Sequence, residues 1–229
     1  MPSVSRDYWD LQWKEQKHGM TNTSACNLFR MEDIRGKDVL DVGCGGVRHS
    51  ELEALAGNYT GINISVNALE EAKRRDSWRK LAVCDAENLP FRPNTFDSVF
   101  SIDTLTLLGD GCYGALKEMR RVTRGMVVFN VSHVDYPKTD LILELELKLI
   151  TLMDNGSYTT LKTQEMPDRA FFDENNICLM LRELDLIPKG ITILTANRER
   201  NLGLEPWKRH DEPDMDFKQK IFIRALKRQ

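Results

Sequence analysis

Few folds accommodate an apolar strand that ends beside an acid and drops at once into clustered glycines. The stretch Lys37-Asp38-Val39-Leu40-Asp41-Val42-Gly43-Cys44-Gly45-Gly46 has this form. A helical pattern follows from Val47 to Ala56, so the segment reads as a buried strand, a tight turn and a helix start. Glycine lets the backbone turn sharply and lets a ligand come where a side chain would collide with it. The first turn of a helix also offers unpaired N–H groups. A negatively polarised group, carboxylate or phosphate, is therefore expected around Gly45 to Arg48.

A dinucleotide fingerprint would need a third glycine three places after the second, and Arg48 stands there. No Gly-Lys-Ser/Thr follows, which removes the P-loop reading. With 229 residues the chain suits one domain spanning 1–229, and 41% hydrophobic with 29% charged residues is an ordinary globular balance. A formal net charge of −3 gives no general attraction to nucleic acid or to an anionic membrane. No run of 18 apolar residues and no signal peptide is found, so the expected location is the cytoplasm. Five cysteines, Cys26, Cys44, Cys84, Cys112 and Cys178, lie scattered without a Cys-x-x-Cys. Neither a disulfide framework nor a metal site is indicated.

The run Val39-Leu40-Asp41-Val42-Gly43-Cys44-Gly45 resembles motif I of the class I S-adenosylmethionine (SAM) dependent methyltransferases, although Gly46-Val47 stands where many members have Xaa-Gly. Three later segments extend the resemblance to Val131. Gly61-Ile62-Asn63-Ile64-Ser65 is similar to the family's Gly-Ile-Asp-Xaa-Ser, Asp85-Ala86-Glu87-Asn88-Leu89-Pro90-Phe91 to Asp-Ala-Glu-Xaa-Leu-Pro-Phe, and Ala115 to Val122 to Ala-Leu-Xaa-Glu-Xaa-Xaa-Arg-Val.

The resemblance implies that Asp41, Gly43, Cys44 and Gly45 cradle the methionine part of SAM. Asn63 and Ile64 then meet the ribose, Asp85, Ala86 and Glu87 the adenine, and Ser101 lines the same edge. Asn63 replaces an acid, and an amide accepts through one oxygen without charge. That exchange is expected to weaken ribose binding by about 1 kcal/mol, about fivefold, so Asn63→Asp should tighten SAM. Asp85 has a second reading as a turn cap.

Tyr8, Trp9, Leu11 and Trp13 lie in a helical segment about 5–20, which either packs on the domain or covers the cofactor and acceptor pocket. The helix after the first strand is expected to end on a glycine cap at Gly57-Asn58. The next helix has Ser65 or Asn67 as its cap, with Glu70 completing a capping box from Asn67. Strands are expected over Tyr59–Ile64, Leu81–Cys84, Thr95–Asp103 and Met126–Val131. Successive strand–helix units with short links specify a parallel sheet with helices on both faces. At strand ends, Asp103 reads as a candidate base or a loop hydrogen bonder, and His133 as a base near working pH or a structural histidine.

Asp140 to Asn155 alternates like a strand at Leu143-Glu144-Leu145-Glu146-Leu147. Its residue types, its length and the cap at Asp140 favour a helix within a helical insertion about 134–170. That insertion is expected to act as a lid, a dimer contact or packing, with Tyr136 joining Tyr8, Trp9 and Trp13 as acceptor-side residues. Asp173 reads as the cap of a helix whose buried stripe is Ile177, Met180, Leu181 and Leu184. Strands over Gly190–Ala196 and Lys220–Leu226 match the antiparallel hairpin closing the family's sheet. The implied fold is α/β and Rossmann-like, with seven strands, mostly parallel, and an antiparallel last strand.

The implied activity is transfer of a methyl group from SAM to a small-molecule acceptor of hydrophobic character, releasing S-adenosylhomocysteine. Alternatives are RNA or protein methylation, and a non-catalytic SAM-binding regulatory or partner subunit. The acidic charge and the lack of an Asn/Asp-Pro-Pro-Tyr/Phe segment count against nucleic acid. A monomer or homodimer without membrane insertion is expected.

Overall fold

The structure is a computed structural model that describes residues 6–15, 30–46, 50–75, 80–133, 151–154, 159–162, 169–172, 174–195, 198–202 and 220–228. Its first strands follow the apolar runs. β1 (Asp38–Val42) is buried along nearly its whole length, as a strand covered on both faces must be. β2 (Asn58–Asn63), β3 (Lys80–Val83), β4 (Phe96–Ser101) and β5 (Thr123–His133) follow in chain order. β1 pairs in parallel with β2 and β4, β2 with β3, and β4 with β5.

β11 (Lys220–Lys227) then runs antiparallel to β5 on one side and to β9 (Leu186–Thr195) on the other. The seven strands thus stand in the order β3-β2-β1-β4-β5-β11-β9. Strand order reverses between the parallel neighbours β1 and β4, and in open α/β sheets ligands lie outside the carboxyl ends of the strands at such a switch point.

Alternation along the strands divides the core in two. Leu40, Val42, Val99, Val127 and Phe129 pack with Leu116 and Met119 of α5 (Cys112–Val122) and Ile177, Met180 and Leu181 of α6 (Glu174–Glu183). The expected stripe of α6 is therefore buried, while its expected cap Asp173 lies outside the described residues. On the opposite face Val39, Phe100 and Val128 meet Ile34 of α2 (Met31–Ile34) and Leu69 and Ala72 of α4 (Val66–Arg75). Asp33 and Arg224, both buried, form an ion pair at 2.6 Å that ties β11 to α2 across 191 positions of sequence.

Several expectations are corrected. Gly57 is not a left-handed cap of α3 (Ser50–Leu55); a Cβ there would stand 2.7 Å from the Gly36 carbonyl oxygen, so close backbone approach is what calls for glycine. Ser65, not Asn67, caps α4, its hydroxyl accepting the Ala68 N–H at 3.2 Å. Of the residues expected to be helical within 140–155, Thr151–Asp154 are strand β6, and the remainder lie outside the described residues. β6 pairs with β7 (Thr159–Lys162), and β7 with β8 (Arg169–Phe172), so the insertion is built of strands where it is described. Pairing with a neighbouring strand decides the conformation of Thr151–Asp154 over helix propensity. Part of the polar link before the last strand is also paired, as β10 (Arg198–Leu202) alongside β9.

Candidate functional site

The glycine turn closes the carboxyl end of β1. Gly43 has φ 78° and Gly45 φ 56°, left-handed values that β-carbon-bearing residues reach at a cost of about 1–2 kcal/mol. The Gly43 and Cys44 N–H groups both donate to the Ile62 carbonyl, at 2.9 and 3.0 Å, which fastens the turn to β2. A Cβ on Gly43 would fall inside the Thr104 side chain. Gly61 is a glycine because Cys44 is buried against it: a Cβ there would lie 2.9 Å from the Cys44 Sγ. Asp41 is buried beneath the turn and accepts the Tyr59 hydroxyl at 2.8 Å. Burial, and then the Asp41 charge, raise the Tyr59 pKa well above its usual value, so the pair is phenol to carboxylate.

The ends of β2 and β3 share one device. Asn63 Oδ1 accepts the Ser65 N–H at 2.8 Å, and Asp85 Oδ1 accepts the Glu87 N–H at 3.0 Å. Each side chain closes a turn two residues ahead of itself and is held at the strand end. The turn-cap reading of Asp85 is thus part of the geometry, and a carboxylate retains acceptor capacity beyond that one bond. Ile64, half-buried, follows Asn63, and Ala86 is buried beside Asp85.

Motif matching located Glu118 and Arg121 without a role for them. Glu118 accepts the Leu89 N–H at 2.9 Å, and Arg121 donates to the carbonyls of Phe91 (2.7 Å) and Leu89 (2.9 Å). These two α5 side chains, paired with each other at 2.7 Å, clamp the loop that follows Asp85.

Helix α1 (Arg6–Glu15) lies against α4 and the glycine turn. Trp13 packs over Gly46, where an added Cβ would meet its ring at 3.4 Å. Tyr8 and Trp9 make an edge-to-face pair with centroids 5.1 Å apart. Asp10 reaches across to the start of α4: its Oδ1 accepts the Ser65 hydroxyl at 2.6 Å and the Asn67 N–H at 3.2 Å, while its carbonyl accepts from Asn67 Nδ2 at 2.8 Å. Burial pushes the Asp10 carboxyl up, but the bonds from Ser65, Asn67 and Val66 outweigh it and hold the pKa below its ordinary value. Sequence reading passed over Asp10, because nothing local links it to a residue 55 positions away.

At the other side of the switch in strand order the polar groups bond over long range. Asp103 has φ 55°; its N–H donates to Asn130 Oδ1 at 2.7 Å, and Asn130 Nδ2 donates to Asp103 Oδ1 at 2.6 Å. The Thr104 hydroxyl stands 3.3 Å from the Gly43 carbonyl, and Ser132 donates its N–H to Thr106 Oγ1 at 2.8 Å. Ser101 is buried, its hydroxyl donating to the Val42 carbonyl at 3.0 Å. The segment Leu105–Gly111 is a 3-10 turn lying across the ends of β1 and β5. His133 is the last residue of β5, in register with Phe172 of β8. Tyr136 lies outside the described residues. Asn130 escaped the sequence reading, although an amide inside Val-Val-Phe-Asn-Val signals a buried partner.

Residues 40–129 match the family model described as "Methyltransferase domain". The matched stretch runs from β1 into β5. The chain's fold recurs in magnesium protoporphyrin IX methyltransferase from Synechocystis PCC 6803 with bound SAH, with TM-score 0.65, 14% identity, and 97% of this chain and 98% of that one covered. In sequence, the chain is 35% identical over 133 residues to demethylmenaquinone methyltransferase of Staphylococcus epidermidis, covering 54% of this chain and 55% of the relative. It is 25% identical over 182 residues to the 18S rRNA (guanine-N(7))-methyltransferase of Mus musculus, covering 73% and 62%. The chain thus spans a little over half the length of these curated relatives. Among the described residues, no helix is long and apolar enough to cross a membrane.

Proposed function

We propose that the chain is a SAM-dependent methyltransferase that acts on a small-molecule acceptor. The observation that carries this reading is the carboxyl edge of the sheet, where the glycine turn, Asn63 and Asp85 stand at the ends of three adjacent strands. SAM is an elongated molecule with a charged amino-acid end, a ribose and an adenine, and the edge matches those parts in that order. Gly43 and Cys44 direct their N–H groups to Ile62, so the amino-acid end would meet the turn further along, at Gly45 and Gly46. Asn63 would hydrogen-bond a ribose hydroxyl through its amide, and Asp85 would accept from the adenine amino group. The clamp of Glu118 and Arg121 keeps the adenine-side loop in place.

When bound, SAM supplies an electrophilic methyl on a sulfonium leaving group. The chain's part is to hold an acceptor atom in line with that methyl and to exclude water. Such positioning can supply about 7–11 kcal/mol of the barrier. Asp103, held by Asn130, and His133, at the end of β5, are the proposed acceptor-side groups, either of which would take a proton when the acceptor arrives protonated. Trp13, Tyr8 and Trp9 would cover the pocket from α1.

Similarity to a relative named for rRNA methylation favours a second reading, methyl transfer to RNA, against which the net charge of −3 stands. Calorimetric titration with SAM tests the cofactor, with saturable one-site binding expected. Release of S-adenosylhomocysteine on a panel of small apolar acceptors, with none on RNA, is the expected result. Salt-dependent RNA affinity with turnover would replace the small-molecule reading by the RNA one.

A further inference from the structure

We propose that Asp10 of α1 is a positioning residue for the cofactor: it brings to the end of β2 the negative charge that Asn63 lacks, and it couples seating of α1 over the glycine turn to SAM binding. The inference rests on the reading of this edge as the SAM site.

Two independent contacts carry it. Asp10 and Asn63 act on the same residue from opposite sides, Asp10 accepting the Ser65 hydroxyl at 2.6 Å and Asn63 accepting the Ser65 N–H at 2.8 Å. Ser65 is fully buried, so this three-residue arrangement is a fixed part of the strand end. The Asp10 carboxylate is therefore linked through the single residue Ser65 to Asn63, where the ribose would be met. Three positions further along the same face of α1, Trp13 lies on Gly46. One helix face thus reaches both the ribose end and the amino-acid end of the proposed cofactor track. Asn67 completes the anchor by donating its side chain to the Asp10 carbonyl at 2.8 Å.

The consequence is a dependence of the Asn63→Asp effect on Asp10 that a merely structural Asp10 would not produce. With Asp10 in place, Asn63→Asp sets a second carboxylate against Ser65, and the gain expected from sequence disappears into repulsion between like charges. Without the Asp10 charge, the same substitution restores what was lost.

The test is a double-mutant cycle on SAM affinity, with Asp10→Asn, Asn63→Asp and the double variant measured by calorimetry. Asp10→Asn keeps the shape and the acceptor oxygen of the anchor and is expected to weaken SAM about tenfold, as loss of a charge-assisted contact does. Asn63→Asp is expected to change affinity by less than about twofold in the unaltered chain and to tighten it about tenfold in the Asp10→Asn background. Equal effects of Asn63→Asp in both backgrounds, or an unchanged affinity on Asp10→Asn, would overturn the role of Asp10 while leaving SAM binding intact. Failure of the unaltered protein to bind SAM would overturn both readings. Hydrogen exchange on the unaltered protein gives a check that needs no variant: S-adenosylhomocysteine should slow exchange of the α1 amides at least tenfold, and unchanged α1 exchange upon saturation would refute the coupling.

Discussion

The two sides of the sheet's switch in strand order solve the same problem differently. On the β2–β3 side, Asn63 and Asp85 each hydrogen-bond a backbone N–H two residues ahead. On the β4–β5 side, Asp103 pairs with Asn130 across 27 positions, Thr106 takes the Ser132 N–H across 26, and Thr104 reaches Gly43 across 61. Local closure lets Asn63 and Asp85 each hold their own turn, so a change at either should act on ligand affinity. Long-range closure makes the strand ends depend on one another, so a change there should act on stability and on geometry at the reacting atoms.

The largest break in this contrast is expected at the residue where the two sides meet. Gly43→Ala combines left-handed strain of about 1–2 kcal/mol with a collision against Thr104 worth about 1–3 kcal/mol. A lowered urea midpoint at constant slope should accompany loss of SAM binding. Next is Asn130→Leu, which leaves the Asp103 N–H and carboxylate without their partner; a stability loss of about 1–3 kcal/mol is expected by chemical denaturation. Its SAM affinity should stay within about twofold while turnover collapses. An equal fall in affinity would show that the two sides are one unit.

On the local side, Asn63→Ala should cost stability less than about 1 kcal/mol and weaken SAM about fivefold in a calorimetric titration. The smallest effect at neutral pH belongs to Glu118. The Arg121 hydrogen bond, opposed by burial and aided by the Leu89 N–H, holds the Glu118 carboxyl below its ordinary value. A lowered folded pKa contributes stability that is complete above the unfolded value of about 4.3 and is lost as pH falls through the folded one. Asp97, lowered chiefly by its bond from Arg124, follows the same sign at the amino ends of the strands. Thermal midpoints should therefore be flat in this contribution from pH 7 to about 5 and fall below about 4, and Glu118→Gln should flatten that fall.

Legibility follows the same division. Val39 to Gly45 could be read because burial on both faces writes a continuous apolar run and because the turn demands glycine. Asn63 and Asp85 could be read because each stands in a short motif at a strand end. The stripe Ile177, Met180, Leu181 and Leu184 was legible as a helical period. Misreadings arose where a neighbour decided the outcome. Thr151–Asp154 pairs with β7 in spite of its helical surroundings in sequence, and Gly57 answers to Gly36 rather than to the helix before it.

The sequence by itself determined the strands β1 to β5, the place of the glycine turn and the residues at the ends of β2 and β3, since periodicity, turn chemistry and short motifs are all written within a short window. Only the tertiary structure decided that Asp10 anchors α1 at Ser65, that Asn130 holds Asp103 and that Arg224 meets Asp33. Each of those pairs joins segments whose separation along the chain has no counterpart in local pattern. Their partners are chosen by the packing of the sheet, which brings distant polar groups together in places where a buried group must find a hydrogen bond.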